Sequence, residues 1–187
     1  MELDEIIEKR RAYRSLEEVE ITDEMIEELA RTAQLSASCF NNQPWNFVFV
    51  HDEDMLEKME EVMKQGNEWT RRASLIIGVF SRAEDDCQVA GRNYHLFDTG
   101  MASAFLQLKA TEMGLVAHPI AGFDGDKAKE LLDIPEDHTL ITLIIVGKHS
   151  GEAEENELLS EKQIEIERQR PERESLEKFV HRNRFEE

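Results

Sequence analysis

Apolar positions recur along this chain with two different spacings, and the spacing changes where the polar punctuation changes. Residues 3–12 read as a short helix with Ile6 and Ile7 turned inward. Thr22 stands where a helix cap is needed, Asp23 and Glu24 fill the first turn, and Met25, Ile26, Leu29, Ala30 and Ala33 then form one apolar face. Asp52 opens a third helix with the stripe Met55, Leu56, Met59, Val62 and Met63, and Gly66 terminates it. From about Asp86 to Met113 the pattern predicts a long helix ending at Gly114, with small residues at Gly100, Ala102, Ser103 and Ala104. Asp124 caps a shorter helix that ends near Asp133, and Ser175 caps a last one carrying Leu176, Phe179 and Val180.

Continuous or alternating apolar runs interrupt these helices. Strands are expected over about Trp45–His51, Leu75–Phe80, Leu115–His118 and Thr139–Val146, the last dense in β-branched residues. Residues 151–174 are highly charged and weakly periodic, and read as an extended arm. The alternation implies one mixed α/β domain spanning 1–187, with 151–187 as a C-terminal arm.

Composition narrows the function. Acidic residues number 41 against 22 basic ones, for a net charge of −19. A field of that sign repels nucleic acid and anionic lipid, so neither is expected as a partner. No apolar run is long enough to span a bilayer, the N-terminus lacks a signal-peptide pattern, and the cytoplasm is the expected location. The two cysteines, Cys39 and Cys87, make neither a disulfide framework nor a CxxC metal pair. The six histidines show no metal-ligand spacing, so no metal is implied. No GxGxxG or P-loop pattern occurs.

Two segments stand out against this background. Lys9-Arg10-Arg11-Ala12-Tyr13-Arg14 concentrates four cations in six residues. In an acidic chain, fixed positive charge of that density suits an anionic ligand, although arginines near a helix end also serve the helix dipole. Ser36-Ala37-Ser38-Cys39-Phe40-Asn41-Asn42-Gln43-Pro44-Trp45 packs hydroxyls, carboxamides, a proline and a tryptophan into ten residues. Such a segment presents donors and acceptors to a flat, polar-edged ligand, or is turn chemistry before a strand.

Four blocks, in order, resemble the FMN-dependent nitroreductase family. They are Arg10-Arg11-Ala12-Tyr13-Arg14; Ser38, Asn41, Gln43, Pro44 and Trp45; Gly114-Leu115 followed by Gly122-Phe123-Asp124; and Arg173 ahead of Leu176, Glu177, Val180, His181, Asn183, Arg184 and Phe185. The resemblance implies a nitroreductase-like fold, with a central mixed, mostly antiparallel sheet flanked by helices, and a homodimer that exchanges its C-terminal arms. It implies FMN as cofactor, with NAD(P)H and an electron-poor acceptor such as a nitroaromatic or quinone as partners. Arg10, Arg11 and Arg173 then correspond to the phosphate ligands, with Arg170 able to share or take the role of Arg173. Arg14 falls at the flavin pyrimidine edge, where its charge would assist catalysis. Ala12 lines the same motif in place of the family's serine, and Glu174-Ser175 replaces the family's Lys-Pro. Ser38, Cys39, Asn41 and Gln43 match the segment that reaches the partner subunit's flavin. Pro119, Ala121 and Gly122 match the backbone that passes the reactive edge; Asn67 corresponds to a family asparagine that reads the flavin edge, but the spacing around Gly66–Arg72 departs from the family's. Other reactions on the same fold remain open at this point, among them reductive dehalogenation and flavin fragmentation, as does flavin binding with little turnover.

Overall fold

The computed structural model describes residues 2–185; Met1, Glu186 and Glu187, which the single-domain reading includes, lie outside the described residues. Six α-helices surround an antiparallel sheet: α1 Leu3–Lys9, α2 Asp23–Gln34, α3 Glu53–Glu60, α4 His95–Glu112, α5 Gly125–Leu131 and α6 Glu161–Arg168. The strands are β1 Leu16–Glu17, β2 Asn46–Val50, β3 Leu75–Ser81, β4 Gln88–Val89, β5 Arg92–Asn93, β6 Val116–Ile120 and β7 Thr139–His149. The path β1-β7-β3-β2 forms the main sheet, with β6 also paired to β7, while β4 and β5 make a separate hairpin. Every named strand pair among the described residues is antiparallel.

The period-2 pattern of β7 explains why it sits at the centre. Leu143 and Ile145 face a core that includes Ile76, Trp69, Met59 and Leu132; Ile144 and Val146 face a second core with Leu75, Ile77, Val79, Leu29, Ala102 and Leu106. A strand buried on both faces is a continuous apolar run, which is what Leu143–Val146 presents. The second core is the contact of α2 and α4 with the sheet, and Ala33, Ala102 and Ala110 allow the close approach. Among the described residues no helix is long and apolar enough to cross a membrane.

Three of the four expected side-chain caps form. Thr22 Oγ1 accepts from Met25 N–H at 3.3 Å, Asp52 Oδ1 from Met55 N–H at 3.1 Å, and Asp124 Oδ1 from Lys127 N–H at 3.1 Å.

Several expectations need correction. Helix α1 ends at Lys9, short of residue 12, and α3 ends at Glu60, short of Gly66, because Val62 and Met63 pair instead with the backbone of Phe123 and Asp124. Ser175 makes no side-chain cap bond, and only a single 3-10 turn over Leu176–Lys178 follows it, in an exposed stretch with nothing among the described residues to pack a longer helix. Helix α4 begins at His95, not Asp86. Ala90 (φ 52°) and Gly91 (φ 78°) both adopt positive φ, the geometry of a two-residue hairpin turn, and so fold 88–93 into β4–β5. Helix α1 buries Ile6 but leaves Ile7 48% exposed, because seven residues offer only one inward position. The charged stretch after Gly151 is not all arm. Ser160 and Gln163 form a capping box that starts α6, Ala153, Leu159 and Glu167 are buried, and Gln163 Nε2 donates to the Gly66 carbonyl at 2.8 Å. Only after Glu167, from Arg168 through the last described residue, does the chain run fully exposed. Finally, Cys39 and Cys87 are joined in a disulfide, with Cα atoms 6.0 Å apart. Forty-eight residues of separation hid that pairing from local sequence spacing.

Candidate functional site

Arg10 ends α1, and residues 11–15 run extended into β1, so arginine side chains emerge along a short open segment. Helix α6 ends opposite, followed by Arg170, Pro171 and Arg173. Between them lies a cavity of about 330 Å³ lined by Arg10, Arg11, Ala12, Arg14, Glu167 and Arg173, among others. The fold thus brings together two basic segments 160 residues apart.

The arginines are not equivalent. Arg11 donates from Nη2 to the carbonyls of Ile166 at 3.0 Å and Gln169 at 2.9 Å, and its guanidinium lies 4.5 Å from the Tyr13 ring centroid. Tyr13 in turn stacks on His149 at 3.7 Å. Arg11 is therefore committed to fastening the end of α6. Arg170 is similarly occupied, with Nη2 donating to the carbonyls of Glu8 and Arg10. Among the described residues, the guanidinia of Arg10, Arg14 and Arg173 have no hydrogen-bond acceptor. Burial lowers the affinity of Arg10 for its proton, and the charges of Arg170 and Arg173 lower it further. Arg14 is lowered by burial and partly restored by Glu167. The cavity thus concentrates unneutralised positive charge.

Glu167 shows why the cluster stays unneutralised. Its buried carboxylate accepts from Arg14 N–H, from Ser15 N–H at 3.0 Å and from the Ser15 hydroxyl. Those bonds fix the 14–15 backbone to α6 and use the carboxylate on main-chain and hydroxyl donors instead of on guanidinia. Hydrophobic periodicity gave no sign of Glu167. The available signal was the Ser160–Gln163 capping box seven residues upstream of it.

From this cavity a line of contacts leads to the 119–122 segment. The Arg14 guanidinium lies 6.0 Å from the Trp69 ring centroid, and Trp69 stacks on His118 at 4.8 Å. Trp69 Nε1 donates to Asn67 Oδ1 at 3.3 Å, and Asn67 Nδ2 donates to the Gly122 carbonyl at 2.8 Å. A Cβ on Gly122 would meet Asn67 Nδ2 at 2.5 Å, so glycine is required there for the close approach of Asn67. Pro119 and Ala121 are exposed beside it. His118 is buried, and its Nδ1 lies 3.0 Å from the Tyr13 carbonyl, which can only accept, so Nδ1 carries the proton. Burial is the main reason its pKa falls to about 4, leaving it neutral.

Ser38, Cys39, Asn41 and Gln43 are not part of this cavity. Ser38 and Cys39 line a different one, of about 300 Å³, with Val89, Tyr94, Phe97, Asp98 and Met101. Ser38 Oγ accepts from Gln43 N–H at 3.0 Å, Gln43 Nε2 donates to the Asn41 carbonyl at 3.2 Å, and Cys39 N–H donates to Asp98 Oδ2 at 2.6 Å. Burial pushes the Asp98 carboxyl up, the Cys39 N–H opposes that, and Asp86 adds to it. Phe40, Asn41 and Gln43 all hold positive φ, at 49°, 60° and 53°. Phe40 does so while 88% exposed. Non-glycine residues in that region cost of order 1 kcal/mol or more each, and such strain collects at binding sites.

The comparisons agree with this architecture. The model of the Nitroreductase family matches residues 7–69 and 63–148. A protein of Archaeoglobus fulgidus, named as a candidate NADH dehydrogenase/NAD(P)H nitroreductase, is 28% identical over 153 residues, covering 76% of this chain and 82% of that protein. A crystal structure described as an oxidoreductase containing FMN superposes with a TM-score of 0.85 at 25% identity, over 100% of this chain and 94% of the other. A candidate nitroreductase in complex with FMN from Exiguobacterium sibiricum superposes at 0.72 with 22% identity, over 80% and 89%. With the family model spanning both the basic N-terminal segment and the sheet that carries the 119–122 turn, this chain belongs to the nitroreductase family.

Proposed function

We propose that this protein is an FMN-dependent NAD(P)H oxidoreductase whose phosphate site is the arginine cavity between α1 and α6. The observation that carries the reading is the presence of three uncommitted guanidinia, Arg10, Arg14 and Arg173, in one cavity of a chain whose net charge is −19. A phosphate dianion relieves the repulsion that Arg10 feels from Arg173 and accepts from the Arg10 and Arg173 forks, which among the described residues have no other acceptor. One phosphate-sized cluster of guanidinia, with no dinucleotide-binding glycine motif in the sequence, favours FMN over a dinucleotide flavin. The residues fit the group: charge at one end, then Arg14 over Trp69, then the 119–122 segment, where Pro119 and Ala121 are exposed.

Bound FMN supplies the two-electron chemistry between reduced nicotinamide and an electron-poor acceptor. The chain supplies placement and charge. Arg10 and Arg173 hold the phosphate, while Arg11 and Arg170 hold the cavity wall. Arg14, kept charged beside Glu167, stabilises negative charge that develops on the flavin pyrimidine edge. Asn67 fixes the Gly122 backbone, along which the reactive edge of a bound flavin would lie. Neutral His118 contributes no competing charge behind Trp69.

The working unit is a homodimer. Three features support it: exposed Phe40 on a strained loop, the solvent-facing Phe97, Gly100 and Ala104 along α4, and an exposed arm with Leu176 at 66%, Phe179 at 61% and Phe185 at 71% exposure. Apolar exposure on that scale marks an interface. In a twofold dimer the Ser38–Gln43 loop, remote from its own chain's arginine cavity, is available to the partner's flavin.

The test is chemical identification of acid-released cofactor, followed by anaerobic titration with NADH and NADPH. Release of FMN and bleaching of its visible absorption by either nicotinamide is the expected result. Recovery of FAD, or failure of the apoprotein to take up FMN, would overturn the proposal.

A further inference from the structure

The disulfide beside the Ser38–Asn41 loop lies against acidic side chains that it does not satisfy. The sulfurs of Cys39 and Cys87 and a carboxylate oxygen of Asp86 all lie within 4.8 Å of one another. Asp86 is only 8% exposed, and its Oδ2, sealed from solvent, has no hydrogen-bond partner. Its other oxygen accepts only a 3.3 Å bond from Asn42 Nδ2, which also reaches Cys87 Sγ at 3.6 Å. No lysine or arginine pairs with Asp86 among the described residues. Asp98, 1% exposed, accepts from the Cys39 N–H, and its carboxyl also interacts with that of Asp86. Two buried acidic groups thus face each other there, with no cationic side chain between them among the described residues. A buried carboxylate oxygen with no donor is costly, and two cysteines beside it are the ligand type that a borderline-soft cation prefers.

We propose that reduction of the Cys39–Cys87 bond opens a binding site for a thiophilic divalent cation of the Zn²⁺ type, held by both thiolates and Asp86. This goes against the expectation from sequence spacing, which implied no metal, because the ligands come together only through the fold.

The geometry is compatible. Zinc–sulfur bonds of about 2.3 Å and zinc–oxygen bonds of about 2.0–2.2 Å put tetrahedral ligand atoms roughly 3.3–3.8 Å apart. The three donors already lie within 4.8 Å, and the 6.0 Å Cα separation allows both sulfurs to flank one ion once the bond between them is broken. The fourth position falls to water. The reaction balances with a dithiol as reductant. The S–S bond takes two electrons and two protons, giving two thiols, and the reductant closes to its own disulfide. Zn²⁺ then forms two Zn–S bonds and releases the two thiol protons. While the sulfurs are bonded to each other there is no thiolate, so the site is gated by redox state. Both states tether the Ser38–Gln43 loop to the segment before β4, one through a covalent bond and one through the ion.

The experiment uses the full-length flavin-loaded protein, oxidised or reduced with a phosphine and desalted under nitrogen. Zn²⁺ is titrated in competition with a chromophoric chelator, and thiols are counted with an aromatic disulfide reagent with and without zinc. The expected result is one tight Zn²⁺ per chain in the reduced form only, protection of both thiols by zinc, and affinity at least tenfold weaker in Asp86→Asn. Zero thiols in oxidised Asp86→Asn controls for folding of the region. Equal binding by the oxidised and reduced forms would overturn the proposal, since it would assign the zinc to surface carboxylates. Absence of stoichiometric binding by the reduced form, with Asp86 sharing a proton with Asp98 instead, would do so too. So would parental affinity in Asp86→Asn.

Discussion

Arg10→Gln separates a phosphate ligand from a structural arginine, because the two roles move stability in different directions. The Arg10 guanidinium is half-buried, has no acceptor, and stands in the field of Arg170 and Arg173. Truncating one member of a desolvated charge-assisted pair costs about 2–5 kcal/mol. Partial exposure places Arg10 at the lower end, so FMN affinity should fall by roughly 2 kcal/mol, or about thirtyfold. Riboflavin, which lacks the phosphate, should bind parent and variant within about threefold of each other. The apoprotein should lose no more than about 0.5 kcal/mol, since relief of repulsion offsets the lost cation at the end of α1. At saturating FMN the missing ligand term should lower Tm by roughly 4–8 °C for a domain of this size. Titrating both flavins against both proteins by flavin fluorescence, with thermal unfolding of the four combinations, gives the full cycle. Arg11→Gln is the contrast: it should destabilise the apoprotein, because its anchors at Ile166 and Gln169 are lost. If FMN and riboflavin weaken equally in Arg10→Gln, or if neither changes, the phosphate does not lie in this cavity.

Three further outcomes follow from the same geometry. Arg14→Gln should slow flavin reduction by NAD(P)H in stopped-flow absorbance by tenfold or more while changing FMN affinity less than Arg10→Gln does, and the reverse order would contradict its assigned role. The pKa of His118 is about 4 when folded against an ordinary 6.5, so below pH 6.5 the unfolded chain binds a proton that the native protein refuses. Stability should therefore fall by up to about 3 kcal/mol as pH drops from 6.5 to 4; urea unfolding of His118→Asn should show a flatter profile, with His149, also lowered mainly by burial, keeping part of the slope. Removing residues after Gln169 deletes Arg170, Arg173 and the exposed arm, and should lose dimer and FMN together with little change in circular dichroism; a truncated monomer that keeps its flavin would show that one chain builds the site.

What the sequence disclosed and what it concealed divide along physical lines. Helix caps at Thr22, Asp52 and Asp124, and the doubly buried run in β7, depend on residues close in sequence, and local chemistry announces them. Basic residues at both ends of the chain carried the phosphate reading through the family resemblance, and the fold then placed them around one cavity. The sequence could not rank those arginines. Whether a guanidinium is spent on a carbonyl, as in Arg11 and Arg170, or left without an acceptor, as in Arg10 and Arg173, depends on where α6 ends. Helix α6 was itself hidden because it points a carboxylate inward, and a pattern search for apolar stripes cannot see a helix that buries Glu167. The disulfide was hidden for the related reason that its halves meet only after β3 and the β4–β5 hairpin are in place.

The placement of Glu167 also resolves a conflict in the design of the cavity. A strongly acidic chain gains solubility from its charge but works against binding a dianion, and a carboxylate beside the arginines would ordinarily cancel them. Here the carboxylate is buried and committed to the N–H groups of residues 14 and 15 and the Ser15 hydroxyl, and among the described residues no ion pair joins it to Arg10, Arg14 or Arg173. Its negative charge keeps Arg14 ionised from behind while its hydrogen-bonding capacity is used on the backbone. Replacing it with a neutral isostere would leave the cations in place but loosen the strand that aims them, so loss of flavin in Glu167→Gln would report positioning of the arginines and not removal of a ligand.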